Sequence, residues 1–499
     1  MLNQTTEKPK NSNYLLKSLI GLVIAVLFWI LPPFGQLTVA GMKLLGLFIM
    51  VIYFCVINEL AWPSVLAVVG MSFLIMDIYP ETALNPLYRA VELSWGYNII
   101  IFVVASLFIT FALSEVGFMN RLANWFLRRK IARKDPWAFT YMLLFIALFI
   151  GLWFDPTASL LFSLGFTKAI FEKLDMKKGE NYPAMVVTGI AFSICIAFGM
   201  TPISHPLPIL GLGVYQKITG TPINFVTYMA LGIPVGIICF IGMLLIIRFI
   251  VKPDMTKLNN ADLGSLVSDK AEPMSLREVL TVTVSLAVFA CWLLDGFLKV
   301  FIPASPLTAF FSQITTLTPA IVGVVLLSAI RVNGQPLMPF EKGMRGGVAW
   351  SMIVLLAALF MLGNGLAEAT TGFNATIIGV MGPFINGGTS KYLIMLVIMM
   401  VIVLLTNIFN NIPVVMMMLN VCIPLAPALN LNSLSVALLI IISGQMAFAV
   451  PSAFPAITII YSDDWAKPKM IFRCGVAVML WCLLIMAVIG YPMAKVMFG

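Results

Sequence analysis

Residues 151–162 read GLWFDPTASLLF, an aspartate and a proline side by side inside a long apolar run. Proline removes a backbone donor and clashes with the preceding turn of a helix. An ionised side chain at the centre of a membrane span costs about 2.5–3.5 kcal/mol on translocon scales. Together the two residues read as the tip of a broken helix. In lipid, such a break is tolerated only where protein or a water-filled cavity surrounds the unpaired backbone. Comparable interruptions recur at FGMTPISHPLP (198–208), TNIFNNIP (406–413) and VPSAFPA (450–456).

The surrounding composition sets the class. Of 499 residues, 61% are hydrophobic and 10% charged. Soluble domains carry about 25% charged residues, and apolar runs of about 20 residues, enough to cross a bilayer, recur along the chain. The expectation is an all-α polytopic membrane protein with about 11 transmembrane segments. The first apolar run, Leu19 to Leu31, follows Lys8, Lys10 and Lys17. WILPPFGQL comes next, with no small-residue cleavage site, so a retained span is expected rather than a signal peptide. The seven cysteines lie in apolar runs without a C-x-x-C and read as core residues. A net charge of +9 fits basic cytoplasmic loops better than nucleic acid. No Walker loop, H-E-x-x-H or G-x-S-x-G occurs, and a single histidine does not support a zinc site or a Ser-His-Asp triad, so no enzyme is expected.

Along the chain, residues 1–38 read as a tail and first span. The first repeat, 39–250, holds scaffold spans 39–117, a basic interfacial helix 118–136, a hairpin 137–173, a broken helix 183–215 and a span 224–250. A linker, 251–277, leads to the second repeat, 278–499, with scaffold spans 279–364, a hairpin 392–425, a broken helix 436–462 and a last span 470–490. Matching interruptions in the two halves are the mark of an internal repeat. With the amino terminus in the cytoplasm and both hairpins re-entrant, 24 of the 30 Lys and Arg fall on the cytoplasmic side. That count makes the two halves inverted and the carboxyl terminus external, in a cytoplasmic (plasma) membrane.

These segments resemble the divalent anion–sodium symporter family from PPFGQLTVAGMKLLGLFIMVIYF (32–54) onward. In that family each inverted repeat has a hairpin bearing Ser-Asn-Thr and a later helix broken near a Thr-Pro-rich loop. Here the first Ser-Asn-Thr falls on Asp155, Pro156 and Thr157, and the second on Asn410, Asn411 and Ile412; only Thr157 and Asn411 match. Thr406 matches a threonine that helps hold sodium. In the first broken helix Gly199, Thr201, Pro202 and Pro206 fit, with His205 replacing a small hydroxyl residue. In the second, Pro451 and Pro455 fit, with Phe454 where a hydroxyl is usual. The resemblance implies a secondary transporter of small organic anions by alternating access, with di- or tricarboxylates such as succinate, malate, fumarate, 2-oxoglutarate or citrate as cargo. It also implies a homodimer in the lipid bilayer, no cofactor, and sodium as the only metal. Sodium symport, proton symport and anion exchange all remain open, as do inorganic-anion and cation/proton antiport.

The substrate-binding candidates are Asp155, Thr157, Thr201, His205, Asn410, Asn411 and Ser452. The coupling-ion candidates, for sodium or a proton, are Asp155, Gly199, His205, Thr406 and Asn411. Each has a plainer reading beside it. Asp155 and the tandem asparagines would cap half-helices, His205 would be a satisfied core residue, and the hydroxyls would be turn residues. Asp155 and His205 together would form an ion pair or a proton-carrying pair.

Overall fold

The computed structural model describes residues 11–57, 59–82, 84–263, 273–386, 390–451 and 453–499; Ser452 lies outside them. The described chain is helical apart from a two-stranded turn pairing Arg331–Val332 with Gln335–Pro336. Eight of its helices are long and apolar enough to cross a membrane. A ninth is formed if Pro306–Ile314 and Leu317–Ala329, bent by 69°, count as one. The difference from about 11 lies in shorter apolar helices, among them Tyr14–Ile30, Ala61–Ser72 and Ser433–Ser443.

Seven of the described helices begin with proline directly after a boundary residue, at Pro86, Pro136, Pro156, Pro206, Pro306, Pro455 and Pro468. Proline suits the first helical position because its missing N–H has no intrahelical acceptor there. Asn85, Asp135, Asp155 and Ser305 add a side-chain cap to the following turn.

The chain forms two compact units, Met1–Ile100 with Trp350–Thr389, and Ile101–Ala349 with Ser390–Gly499. In the first, the Val39–Val56 helix is capped by Thr38, whose N–H also donates to Thr371 O at 2.9 Å. Gly41 lies against the Thr371 backbone, where a Cβ would collide. Tyr97 stacks on Phe360 at 5.1 Å and accepts from Asn364 Nδ2 at 2.7 Å.

The second unit is organised around Asn181–Met200, buried along nearly its whole length. Pro136–Gly151 and Pro156–Lys173 are joined by four residues and fold back on each other. Thr140, near the start of the first arm, pairs with Tyr182 OH at 3.0 Å. Phe171, near the end of the second, meets the Tyr182 ring at 6.2 Å between centroids. A straight helix would hold those positions about 45 Å apart. Lys391–Ile408 and Asn411–Leu425 do the same, for Lys391 and Met395 share a small cavity with Asn430, Leu431 and Asn432. Asn181–Met200 and Pro206–Thr219 flank the second interruption. At the fourth, Ser433–Ser443 ends well before VPSAFPA, and helix resumes only at Pro455–Tyr461. The described stretch outside helix is therefore 444–451 with 453–454, longer than the prolines alone announce.

Polar side chains clasp the two parts of this unit together. Lys168 pairs with Asp463, Lys178 with Asp464 at 2.7 Å, and Lys467 donates to Asn181 at 2.6 Å. Trp465 lies 5.4 Å from the Phe171 ring. The segment after the fourth break is thus fastened to the end of the first hairpin. The basic helix Phe118–Leu127 is shorter than the 118–136 expected and is held through Arg121 to Glu278.

Candidate functional site

The four interruptions meet through side chains. At the first, Asp155 Oδ1 accepts from Thr157 N at 2.9 Å and Ala158 N at 3.1 Å, capping the second arm. Thr157 itself is exposed. Thr201, buried in the next break, donates to Leu152 O at 2.7 Å and so ties that break to the first hairpin. Gly151 allows the first arm to close on Asn181–Met200; a Cβ there would lie 2.9 Å from the Ala197 Cβ.

Gly199 is at the end of its half-helix, where carbonyls lack intrahelical donors. Its oxygen accepts from Tyr228 OH at 3.2 Å. Gly232 seats the Phe225–Val251 helix against the Gly199 and Met200 carbonyls, 2.7 and 2.9 Å from where a Cβ would stand. The coupling-ion candidate Gly199 therefore has one lone pair already in use.

In the second half, Asn407 organises the unwound backbone. Its Nδ2 donates to Val403 O at 2.8 Å and Met446 O at 2.9 Å. Its Oδ1 accepts from Phe448 N at 3.2 Å and Ala449 N at 3.1 Å. All four hydrogen-bonding positions of the amide are filled. Tyr461 OH adds a bond to Ala449 O at 2.6 Å. Asn410 caps the second arm through Ile412 N at 3.1 Å, and Thr406 donates to Val403 O at 3.2 Å.

Gln445 joins the halves. Its Oε1 accepts from Asn411 Nδ2 at 3.3 Å, and its Nε2 meets His205 Nδ1 at 3.3 Å. The His205 ring stacks on Phe198 at 5.1 Å and meets Phe454 edge-on at 5.4 Å. His205 and Asp155 do not pair with each other; each has the separate contacts just given. Ser204 Oγ and Ser443 Oγ are buried without a hydrogen-bond partner. Cys195, Gly199, Gly236, Gln445 and Cys482 help line a cavity of about 20 Å³, room for about one water.

Asn411, His205 and Thr201 are thus brought into one connected region, with Gly199 beside Gln445. Asn410 and Asp155 act locally as caps. Gln445 and Asn407 were not among the sequence candidates. Their signal is an amide in an apolar run, Gln445 directly after the first glycine of the break and Asn407 next to Thr406.

A helical membrane protein with paired mid-chain breaks and a shared polar cluster has the build of a secondary transporter. The family model for citrate transporters (CitMHS) matches residues 12–444, and the chain belongs to that family. It is an integral membrane transporter, as the family is, and not an enzyme. A Haemophilus influenzae protein named "Uncharacterized transporter" is 24% identical over 72% of this chain and 74% of its own length. The sodium-dependent dicarboxylate transporter SdcS of Staphylococcus saprophyticus is 22% identical over 99% of this chain and 95% of its own. The crystal structure of the Alcanivorax borkumensis YdaH transporter covers 97% of this chain and 99% of that chain with a TM-score of 0.59 at 13% identity, a likeness of fold.

Proposed function

We propose that the protein is a secondary active transporter of di- or tricarboxylates, of the size of succinate, malate, fumarate, 2-oxoglutarate or citrate. The observation that carries this reading is the Asn411–Gln445–His205 contact, which links the second hairpin and both broken helices in one buried cluster. The helices beginning at Pro156, Pro206 and Asn411 start at these breaks, and helix N-termini favour anions. Thr157, Thr201, Asn410 and Asn411 supply neutral polar groups; Ser452 belongs to the same loop by sequence.

Sodium is the proposed coupling ion, supported by relatives named as sodium-dependent dicarboxylate transporters. Neutral oxygens suit a hard cation. Asn411 Oδ1 carries no protein hydrogen bond among the described residues, and with Thr406 Oγ1 it would hold the ion. The bound cation would supply positive charge against the incoming anion. Asp155 supports a second reading, proton coupling. Among the described residues its carboxylate has backbone N–H partners and no cation opposite, and beside a dianion it would have to take up a proton.

The hairpins and broken helices would move against the remaining spans, in a homodimer of inverted repeats with the amino terminus cytoplasmic and the carboxyl terminus external. Uptake of labelled citrate and succinate into proteoliposomes, under imposed sodium, proton or counter-anion gradients, tests the reading. The expected result is saturable uptake of at least one of them, accelerated by inward sodium. Uptake of neither under any gradient would overturn it, and acceleration by protons alone would transfer the coupling to Asp155.

A further inference from the structure

We infer that Gln445 is a positioning residue that holds His205 neutral in its Nε2–H form, so that the ring offers a donor to a substrate carboxylate. This rests on the site proposed above. The three side chains form a directed series. Asn411 Nδ2 donates to Gln445 Oε1, which leaves the Gln445 NH2 group facing His205 Nδ1. An amide nitrogen donates and does not accept, so Nδ1 must be the acceptor. A neutral imidazole has one acceptor and one donor nitrogen, so its proton is on Nε2. A proton on Nδ1 would set N–H against N–H.

The surroundings agree with a neutral ring. The groups that meet it are Phe198, Phe454 and Gln445. Among the described residues no charged side chain pairs with it, and the Asp155 carboxylate accepts from Thr157 N and Ala158 N. Stacking on Phe198 with Phe454 at the edge fixes the ring plane.

The other ring nitrogen, Nε2, makes no hydrogen bond among the described residues, and the adjacent Ser204 Oγ is buried without a partner. Buried polar groups without partners are uncommon. Two donors in consecutive residues, at a break shared with the second hairpin, suit the oxygens of one carboxylate. At 3.3 Å both Gln445 contacts are at the long end for hydrogen bonds and have room to tighten around a ligand.

His205 is the chain's only histidine, so 15N-histidine labelling reports this ring alone, provided the protein is purified without a histidine tag. The expected wild-type spectrum at neutral pH has a pyridine-type Nδ1 and a pyrrole-type Nε2. Addition of the transported carboxylate shifts the Nε2 signal. Gln445→Glu replaces the donor by acceptors and moves a proton onto Nδ1. In proteoliposomes the same change raises KM for the carboxylate about tenfold, the size of one lost charge-assisted hydrogen bond. Should the glutamate disturb folding, Gln445→Leu carries the test through a mixed tautomer spectrum.

A protonated Nδ1 in the wild type, or a wild-type spectrum in both variants, would overturn the assignment. An Nε2 signal indifferent to a carboxylate that is demonstrably transported would do the same. The tautomer is read before any substrate is added. A protein with the expected tautomer that transports no carboxylate therefore sinks the proposed function, whereas carboxylate transport with the wrong tautomer sinks only the role of Gln445.

Discussion

The two halves of the second compact unit solve the same problem differently. Each interrupts its helices within apolar sequence, and each must find partners for the freed backbone. The second half does so with one amide: Asn407 serves Met446, Phe448 and Ala449 across the unwound stretch. The first half borrows hydroxyls from neighbouring helices, Thr201 on Leu152 and Tyr228 on Gly199, and leaves Ser204 without a partner. The unwound backbone of the second half is thus braced mainly by one amide and that of the first by hydroxyls, and each half keeps a buried hydroxyl without a partner, Ser204 Oγ in the first and Ser443 Oγ in the second. On the proposed reading, the ligand's carboxylate meets the His205 side, and Asn407 supports the second half.

The largest effect that would test this contrast is at Asn407. Asn407→Leu removes four hydrogen bonds and orphans buried backbone groups, and should cost about 2–4 kcal/mol at roughly 0.6–1 kcal/mol per bond within a membrane. Thermal unfolding in detergent would measure the loss. A melting temperature within a degree of wild type would show that the fourth break does not depend on this amide.

Next comes Tyr228→Phe, which removes the single donor to Gly199 O and should cost about 1 kcal/mol. It frees that carbonyl, so the sodium affinity of transport should stay the same or rise. A sodium affinity lowered together with unchanged stability would contradict the bracing role. At the first hairpin, Asp155→Asn keeps an acceptor for Thr157 N and Ala158 N, whereas Asp155→Ala removes it and should cost about 1 kcal/mol. If capping is its whole contribution, asparagine transports like wild type. If the carboxylate carries a proton, asparagine is stable but its transport loses its pH dependence.

Much of this architecture was legible in the chain. Asp155-Pro156 and Asn410-Asn411 advertise their breaks because caps and prolines have no reason to stand mid-run otherwise. The fourth break was harder. Its prolines mark only its far end, and the helix stops at Ser443 because Asn407, remote in sequence, takes over the backbone from Met446 to Ala449. Gln445 stayed hidden for the same reason: a single amide among apolar residues acquires meaning only when two other segments fold against it. The pairing of Asp155 with His205 could be imagined from residue type, yet each side chain meets a nearer partner. Asp135-Pro136 and Asp155-Pro156 start their helices with the same local chemistry, so only tertiary position separates a cap at a surface from one at a tip.

The smallest expected effect lies far from either break. Lys257 donates to Glu180 at 2.8 Å and holds its carboxyl below the ordinary carboxylate range. A lowered folded-state pKa contributes stability above the ordinary value, and that contribution is lost as pH falls through the lowered one. The pair is exposed, so Glu180→Gln should change stability by no more than about 0.5 kcal/mol at neutral pH and slightly flatten the acid limb of the melting curve. A larger change would mean that this contact, and not the breaks, helps set the state of the transporter.

The most direct measurement is a structure of the transporter saturated with whichever di- or tricarboxylate it carries in the uptake assay. The expected result is a carboxylate against His205 and Ser204, with Gln445 still joined to Asn411 and the Asn407 bonds unchanged. A ligand seated elsewhere, with Ser204 still unpartnered and the His205–Gln445–Asn411 series untouched, would contradict the site.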